Sequence, residues 1–250
     1  MDKKIRVGIG GWVYAPWRGT FYPAGLPQAQ ELAYASRHLT TIEINGTFYG
    51  RQKPESFRRW RDETPEDFVF SLKGPRFATH RPDPAAAGPA IDRFLASGVL
   101  ELGDKLGPIL WQFPPTMSVD EDGFAAFLEL LPRHTDGHAL RHVVEVRRLS
   151  FSRASLIALL RRHQVAIALD IEDGATFDDV TGDFLYTRLR HCTLDEPAGY
   201  PPDALDACAQ RLRQWSIDGA ADVFVYFISG AKIRAPAAAQ ALLQRLTETA

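Results

Sequence analysis

Cysteine is scarce: Cys192 and Cys208 are the two in 250 residues, and neither belongs to a CxxC pair or a Cys/His run at zinc spacing. That excludes a disulfide scaffold and a zinc ribbon, and it fits reduced thiols in a cytosol. No stretch approaches the roughly 20 consecutive apolar residues of a membrane-spanning helix. The opening MDKKIRVGIGGW passes straight into a strand-like segment, without the apolar run and small-residue cleavage site of a signal peptide. A cytoplasmic protein with no membrane partner is the expectation. Charge of one sign is not in excess either. A formal net charge of -2 leaves no basic footprint and argues against a nucleic-acid partner. No P-loop or Gly-rich dinucleotide fingerprint is present, so the sequence names no cofactor.

What is present is ordinary for a globular chain: 45% hydrophobic and 24% charged residues. The length suits one α/β barrel domain over residues 1–250. Eight apolar or alternating runs bounded by Gly, Pro or Asp read as strands: Ile5 to Gly10, Thr41 to Asn45, Phe68 to Lys73, Ile109 to Phe113, Val143 to Arg147, Val165 to Asp170, Phe184 to Leu189 and Val223 to Ile228. Helical patterns fall between them, near Gln28 to His38, Pro54 to Asp62, Ala87 to Gly103, Asp120 to Leu131, Ser152 to His163, Pro202 to Ser216 and Pro236 to Glu248. The connection at Glu172 to Asp183 is short for a crossover helix, which makes the sixth or seventh unit irregular. Repeated βα units predict a (β/α)8 TIM-type barrel, with a doubly wound sheet as the alternative because no sequence feature reports closure.

Successive strand residues point to opposite faces. In the second run Glu43 and Asn45 share the face opposite Ile42 and Ile44; in the third Ser71 and Lys73 oppose Phe70 and Leu72; in the fifth Glu145 and Arg147 oppose Val144 and Val146. Asp170 and Arg188 close the sixth and seventh runs. In a barrel this polar parity points inward and toward the C-terminal mouth. Glu43 and Glu145 are then candidate acid and base, since proton transfer needs carboxylates held at fixed separation in different environments. Lys73, Arg147 and Arg188 could hold an anionic substrate, Arg by its planar fork. The competing reading is a buried ion network, with these three cations balancing Glu43, Glu145 and Asp170.

The loops add candidates. Trp12, Tyr14 and Trp17 in the first loop and Tyr49 in the second suit stacking on a sugar or base, or else plug the barrel. Gly230 lies between the eighth strand and the last helix, where backbone donors could meet an anion, or where a turn simply needs glycine. His80 follows a charged strand end and reads as a proton shuttle, a metal ligand or a helix cap.

Several stretches together resemble the YecE-like proteins, domain of unknown function 72: GIGGWVYAPWRGTFYP at 8–23, IEINGTFYG at 42–50, FSLKGPRFATH at 70–80, KLGPILWQFPP at 105–115, VEVR at 144–147, YTRL at 186–189 and VYF at 225–227. The resemblance implies a barrel and adds Asn45, Thr47, Phe48 and Gln112 to the positions already singled out. It implies no reaction. The chain departs from the pattern at Arg190-His191, where the family continues His-Gly, and at Ile228-Ser229, where an asparagine is usual.

The leading expectation is an enzyme acting on a small polar substrate, anionic or sugar-like, by general acid/base chemistry. Glu43, Glu145, Lys73 and His80 would do the chemistry. Trp12, Tyr14, Trp17, Asn45, Tyr49, Gln112, Arg147, Asp170, Arg188 and Gly230 would bind. The alternatives are metal-assisted phosphoester hydrolysis through Glu43, Glu145, Asp170 and His80, and a non-catalytic small-molecule binding protein.

Overall fold

The computed structural model describes residues 4–147, 150–172, 179–219 and 222–248. Eight parallel strands close into a barrel: β1 Ile5–Gly10, β2 Thr41–Ile44, β3 Val69–Lys73, β4 Leu106–Gln112, β5 His142–Glu145, β6 Ala166–Leu169, β7 Phe184–Leu189 and β8 Asp222–Phe227. β1 pairs with both β2 and β8, so the sheet has no edge and a doubly wound arrangement is excluded. The outer helices are α1 Glu31–His38, α2 Pro54–Glu63, α3 Gly88–Leu95, α4 Glu121–Glu129, α5 Arg153–His163, α6 Pro202–Gly219 and α7 Ala235–Thr247. The pattern expected over 87–103 divides into α3 and a 3-10 segment, Val99–Lys105, with left-handed Gly98 between them. A two-stranded hairpin, His134–Thr135 with His138–Ala139, lies in a stretch to which the sequence pattern assigns no element. Residues 173–178 of the irregular connection after β6 fall outside the described part.

Two apolar layers hold this together. The larger joins the outward faces of the strands to the helices, through Ile9, Ile42, Phe70, Trp111, Val144 and Val225 among others. A separate interior cluster of Leu110, Val143, Ala166, Phe184 and Phe224 fills the lower barrel and ends in Tyr186 and Tyr226. Above the rings the interior turns polar. Tyr226 Oη hydrogen-bonds Thr41 Oγ1 at 2.8 Å and Ser71 Oγ at 2.5 Å. Chain direction therefore stratifies the barrel: apolar below, hydroxyls in the middle, ions at the strand ends, where a TIM barrel carries its site.

One buried histidine ties β5 to β4. Trp111 Nε1 donates to His142 Nδ1 at 3.1 Å, and His142 Nε2 lies 2.8 Å from the Pro132 carbonyl, which fixes a neutral ring. Burial pushes the His142 imidazole down to about 4, against the Pro132 contact. The folded value lies below the ordinary 6.5, so its stabilisation is complete above pH 6.5 and is lost as pH falls toward about 4. Urea titrations should therefore show stability falling across that interval, with a shallower fall in His142→Gln. Parallel slopes in the two proteins would contradict this.

Candidate functional site: a cationic cavity at the strand ends

The ionic layer is organised by Arg188 on β7. Its Nε and Nη2 donate to Glu43 Oε2 and Oε1 at 3.1 and 3.0 Å, and its Nη1 donates to Glu145 Oε2. Glu43, fully buried on β2, also accepts from Tyr186 Oη at 2.6 Å. Glu145, at the end of β5, accepts from Gln112 Nε2 at 2.9 Å and pairs with Arg190 Nη2 at 2.8 Å. Arg147 Nε stands farther off, 3.6 Å from Glu145 Oε1. Burial pushes the Glu145 carboxyl up, but Arg188, Arg190 and Gln112 outweigh it and hold it below the usual carboxylate range. Burial would lower the Arg188 guanidinium, yet Glu43 and Glu145 raise it above its ordinary value. The oxygens of both glutamates are thus engaged by donors from Arg188, Tyr186, Gln112 and Arg190. Proton exchange suits such groups poorly.

Lys73 stands apart. It ends β3, is 8% exposed, and its Nζ lies 4.1 Å from the centroid of the Phe48 ring. Among the described residues its Nζ has no hydrogen-bond or ion-pair partner, because Arg188 and its neighbours take the two glutamates. Burial is the main force lowering its pKa, Arg188 and Arg190 add to it, and Glu43 and Glu145 oppose it. The main chain is anchored at the same point, since Thr47 Oγ1 donates to the Lys73 carbonyl at 2.7 Å. Thr47 and Phe48 belong to a single helical turn, Gly46–Tyr49, that follows β2.

Above this layer opens a cavity of about 670 Å³. Among the described residues five basic side chains line it, Lys73, Arg147, Arg188, Arg190 and Lys232, and no acidic residue does. Asn45, Gln52 and Gln112 add amides, while Trp12, Trp60 and Tyr49 supply aromatic wall. The ring centroids of Trp12 and Trp60 are 5.2 Å apart, edge to face. A second recess of about 460 Å³ shares Arg147 and Arg190 with it and reaches Asp170, which accepts from Arg190 Nη1 at 2.7 Å.

The cavity brings together Trp12, Asn45, Tyr49, Lys73, Gln112, Arg147 and Arg188, with Glu43 and Glu145 beneath on Arg188. Other residues proposed from sequence stand elsewhere. Trp17 is fully buried and donates from Nε1 to the Lys232 carbonyl at 2.9 Å, so it plugs the first loop. Tyr14 packs beneath Lys232, whose Nζ is 4.8 Å from its ring centroid. His80 lies behind Phe48, edge to face at 5.2 Å, outside the cavity lining. Gly230 has φ +76 and backs onto the main chain of Arg190 and Cys192; Ala231 N donates to Cys192 O at 2.7 Å. Its glycine serves a backbone contact with the segment after β7. Glu43, Glu145, Asp170 and His80 do not gather as ligands: among the described residues no three His, Cys, Asp or Glu side chains could hold one metal ion.

Arg190 and Lys232 were not anticipated as site residues. Arg190 continues the parity of Tyr186 and Arg188 one residue beyond the strand end, so the alternation followed outward points to it. A model of the family described as "Protein of unknown function DUF72" matches residues 6–250. The chain belongs to the DUF72 family. It is 29% identical over 140 residues to the UPF0759 protein YecE of Escherichia coli K12, covering 55% of this chain and 48% of that one. The UPF0759 protein YunF of Bacillus subtilis is 28% identical over 126 residues, 48% of this chain and 44% of that one. The chain thus spans about half the length of the curated relatives it matches. A solved DUF72 structure from Thermotoga maritima superposes with a TM-score of 0.74 at 21% identity, covering 98% of this chain and 99% of that one. That likeness supports the barrel. No helix of this DUF72 chain, among the described residues, is long and apolar enough to cross a membrane.

Proposed function

We propose that this protein is an enzyme that takes a small anionic substrate into the cavity at the strand ends and uses Lys73 for proton transfer. The observation that carries this reading is the lining, which among the described residues has five basic side chains and no acidic one. Arg147 and Lys232 hold the anionic group: Arg147 is half exposed with one long contact to Glu145, and Lys232 Nζ has rings on one side and the cavity on the other. Arg188 is a positioning residue, because each of its three nitrogens already donates to Glu43 or Glu145. Those glutamates anchor the cations in place of serving as acid and base. Lys73, a buried amine whose ammonium form is disfavoured and whose Nζ has no carboxylate partner, is better placed for proton exchange with the substrate. Trp12 and Tyr49 cover the substrate, and Asn45 and Gln112 orient it. A neutral sugar would leave Lys73 and Lys232, which have no ion pair among the described residues, without a counter-charge in the cavity.

Calorimetric titration with inorganic phosphate and with glucose tests this. Phosphate should bind and glucose should not. Arg147→Ala and Lys232→Ala should each weaken phosphate by roughly tenfold, the loss of about one charge-assisted hydrogen bond. Equal affinity for glucose, or indifference to both substitutions, would sink the proposal.

A further inference from the structure

We propose that Lys73 is a nucleophilic amine that condenses with the carbonyl carbon of a small anionic aldehyde or ketone, forming an imine in the cavity. This rests on the anionic-substrate reading and names its substrate class, the proton that Lys73 transfers being the one its Nζ passes to the carbonyl oxygen after attack. Imine formation needs a lysine whose lone pair is free, which in proteins means one without a carboxylate partner, screened from water and close to other cations. Lys73 meets each condition. The two carboxylates whose charge reaches it, Glu43 and Glu145, already accept from Arg188, Tyr186, Gln112 and Arg190. Its side chain is almost wholly buried, and Phe48 covers one side of the amine. The Phe48 ring face by itself favours the ammonium. Burial and the two guanidiniums act the other way and prevail.

Lys232 is the internal comparison. It also lines the cavity, but its Nζ lies over two rings, Tyr14 at 4.8 Å and Trp17 at 5.5 Å, and no arginine is among the influences on its charge. Burial lowers the pKa of Lys232 too, but two ring faces oppose it and no guanidinium adds to it, which suits Lys232 to hold the anionic group while Lys73 reaches the carbonyl.

The step balances without a redox partner. The Nζ lone pair attacks the carbonyl carbon as the C=O π pair moves to oxygen. A proton passes from nitrogen to that oxygen, giving a carbinolamine. The hydroxyl gains one proton from solvent and leaves as water, and the nitrogen pair closes the C=N⁺ bond. One amine, one carbonyl and one proton become one iminium and one water.

The test incubates the full chain with pyruvate, glyoxylate or dihydroxyacetone phosphate, adds sodium cyanoborohydride to supply hydride to any iminium, and maps the adduct by peptide mass spectrometry. One adduct is expected, at Lys73. Its yield should plateau below pH about 10.4, where an ordinary lysine half-deprotonates. Lys73→Arg and Lys73→Met should lose it while melting as cooperatively as the wild type, and acetone, with no anionic group, should label far less. Equal labelling at Lys53, Lys105 or Lys232, or an adduct that persists in both variants, overturns the proposal. Failure to label, with phosphate still binding, overturns the imine and leaves the anionic cavity standing. Loss of both overturns both.

Discussion

Arg188→Ala is expected to cost the fold about 3–5 kcal/mol, the range for removing one partner of a buried ion pair. Glu43 is fully buried and would keep only the Tyr186 hydroxyl; Glu145 would keep Gln112 and Arg190. Both carboxylates and the guanidinium have side chains no more than 7% exposed, so solvent screens them little. In the variant the fully buried Glu43 carboxylate is left without its guanidinium partner, and burial disfavours the charged form of an acid. A raised acid is stabilising below the unfolded pKa and loses that contribution as pH rises through the folded one. The deficit against wild type should therefore shrink in acid. Denaturant unfolding at two pH values reads this, and Glu43→Gln combined with Arg188→Ala should recover part of the loss. A loss under about 1 kcal/mol, as for an exposed pair, would mean that Arg188 is free to serve a ligand.

Gly230→Ala should also cost several kcal/mol, from two sources that a control separates. The first is torsional, since φ is +76 and a side chain there costs about 1–2 kcal/mol. The second is steric: an added Cβ would lie 2.4 Å from the Cys192 carbonyl oxygen, 2.6 Å from that of Arg190 and 2.8 Å from Cys192 N. These are backbone atoms, so relief means moving the segment that carries Arg190, beyond the about 1–3 kcal/mol of ordinary overpacking. Gly19 has φ +82 with nothing within 4 Å of its added Cβ, so Gly19→Ala should show the torsional cost alone. Equal midpoint shifts in urea would contradict the packing role given to Gly230.

The strands were legible because a period of two survives in short runs. β1 and β7 carry the expected bounds, and the inward parity of Glu43, Lys73, Glu145 and Arg188 follows from strand geometry alone. Pairing was not legible. Parity assigns a face, yet it cannot say which of three cations meets which acid, and that choice separates Arg188, bonded to two glutamates, from Lys73, bonded to none. Loops carry no period, so Trp17 as plug and Trp12 as wall were indistinguishable until their depths were known. The hairpin at 134–139 has strands of two residues, too short to alternate. Gly230 looked like an anion loop because sequence does not separate a glycine that exposes its N–H from one that lets two backbones touch.

The measurement that bears most directly on the cationic cavity is a melting curve in phosphate against chloride at equal ionic strength. The comparison protein is the triple variant Lys73→Met, Arg147→Ala, Lys232→Ala. An anion held at about ten times its Kd adds about 1.4 kcal/mol by mass action, or roughly 3–6 °C for a chain of this size. The wild type should show that rise and the triple variant should not. Phosphate also stabilises proteins generally by exclusion from their surface, and that effect would appear in both. A rise of the same size in the triple variant, or none in the wild type, would contradict the account.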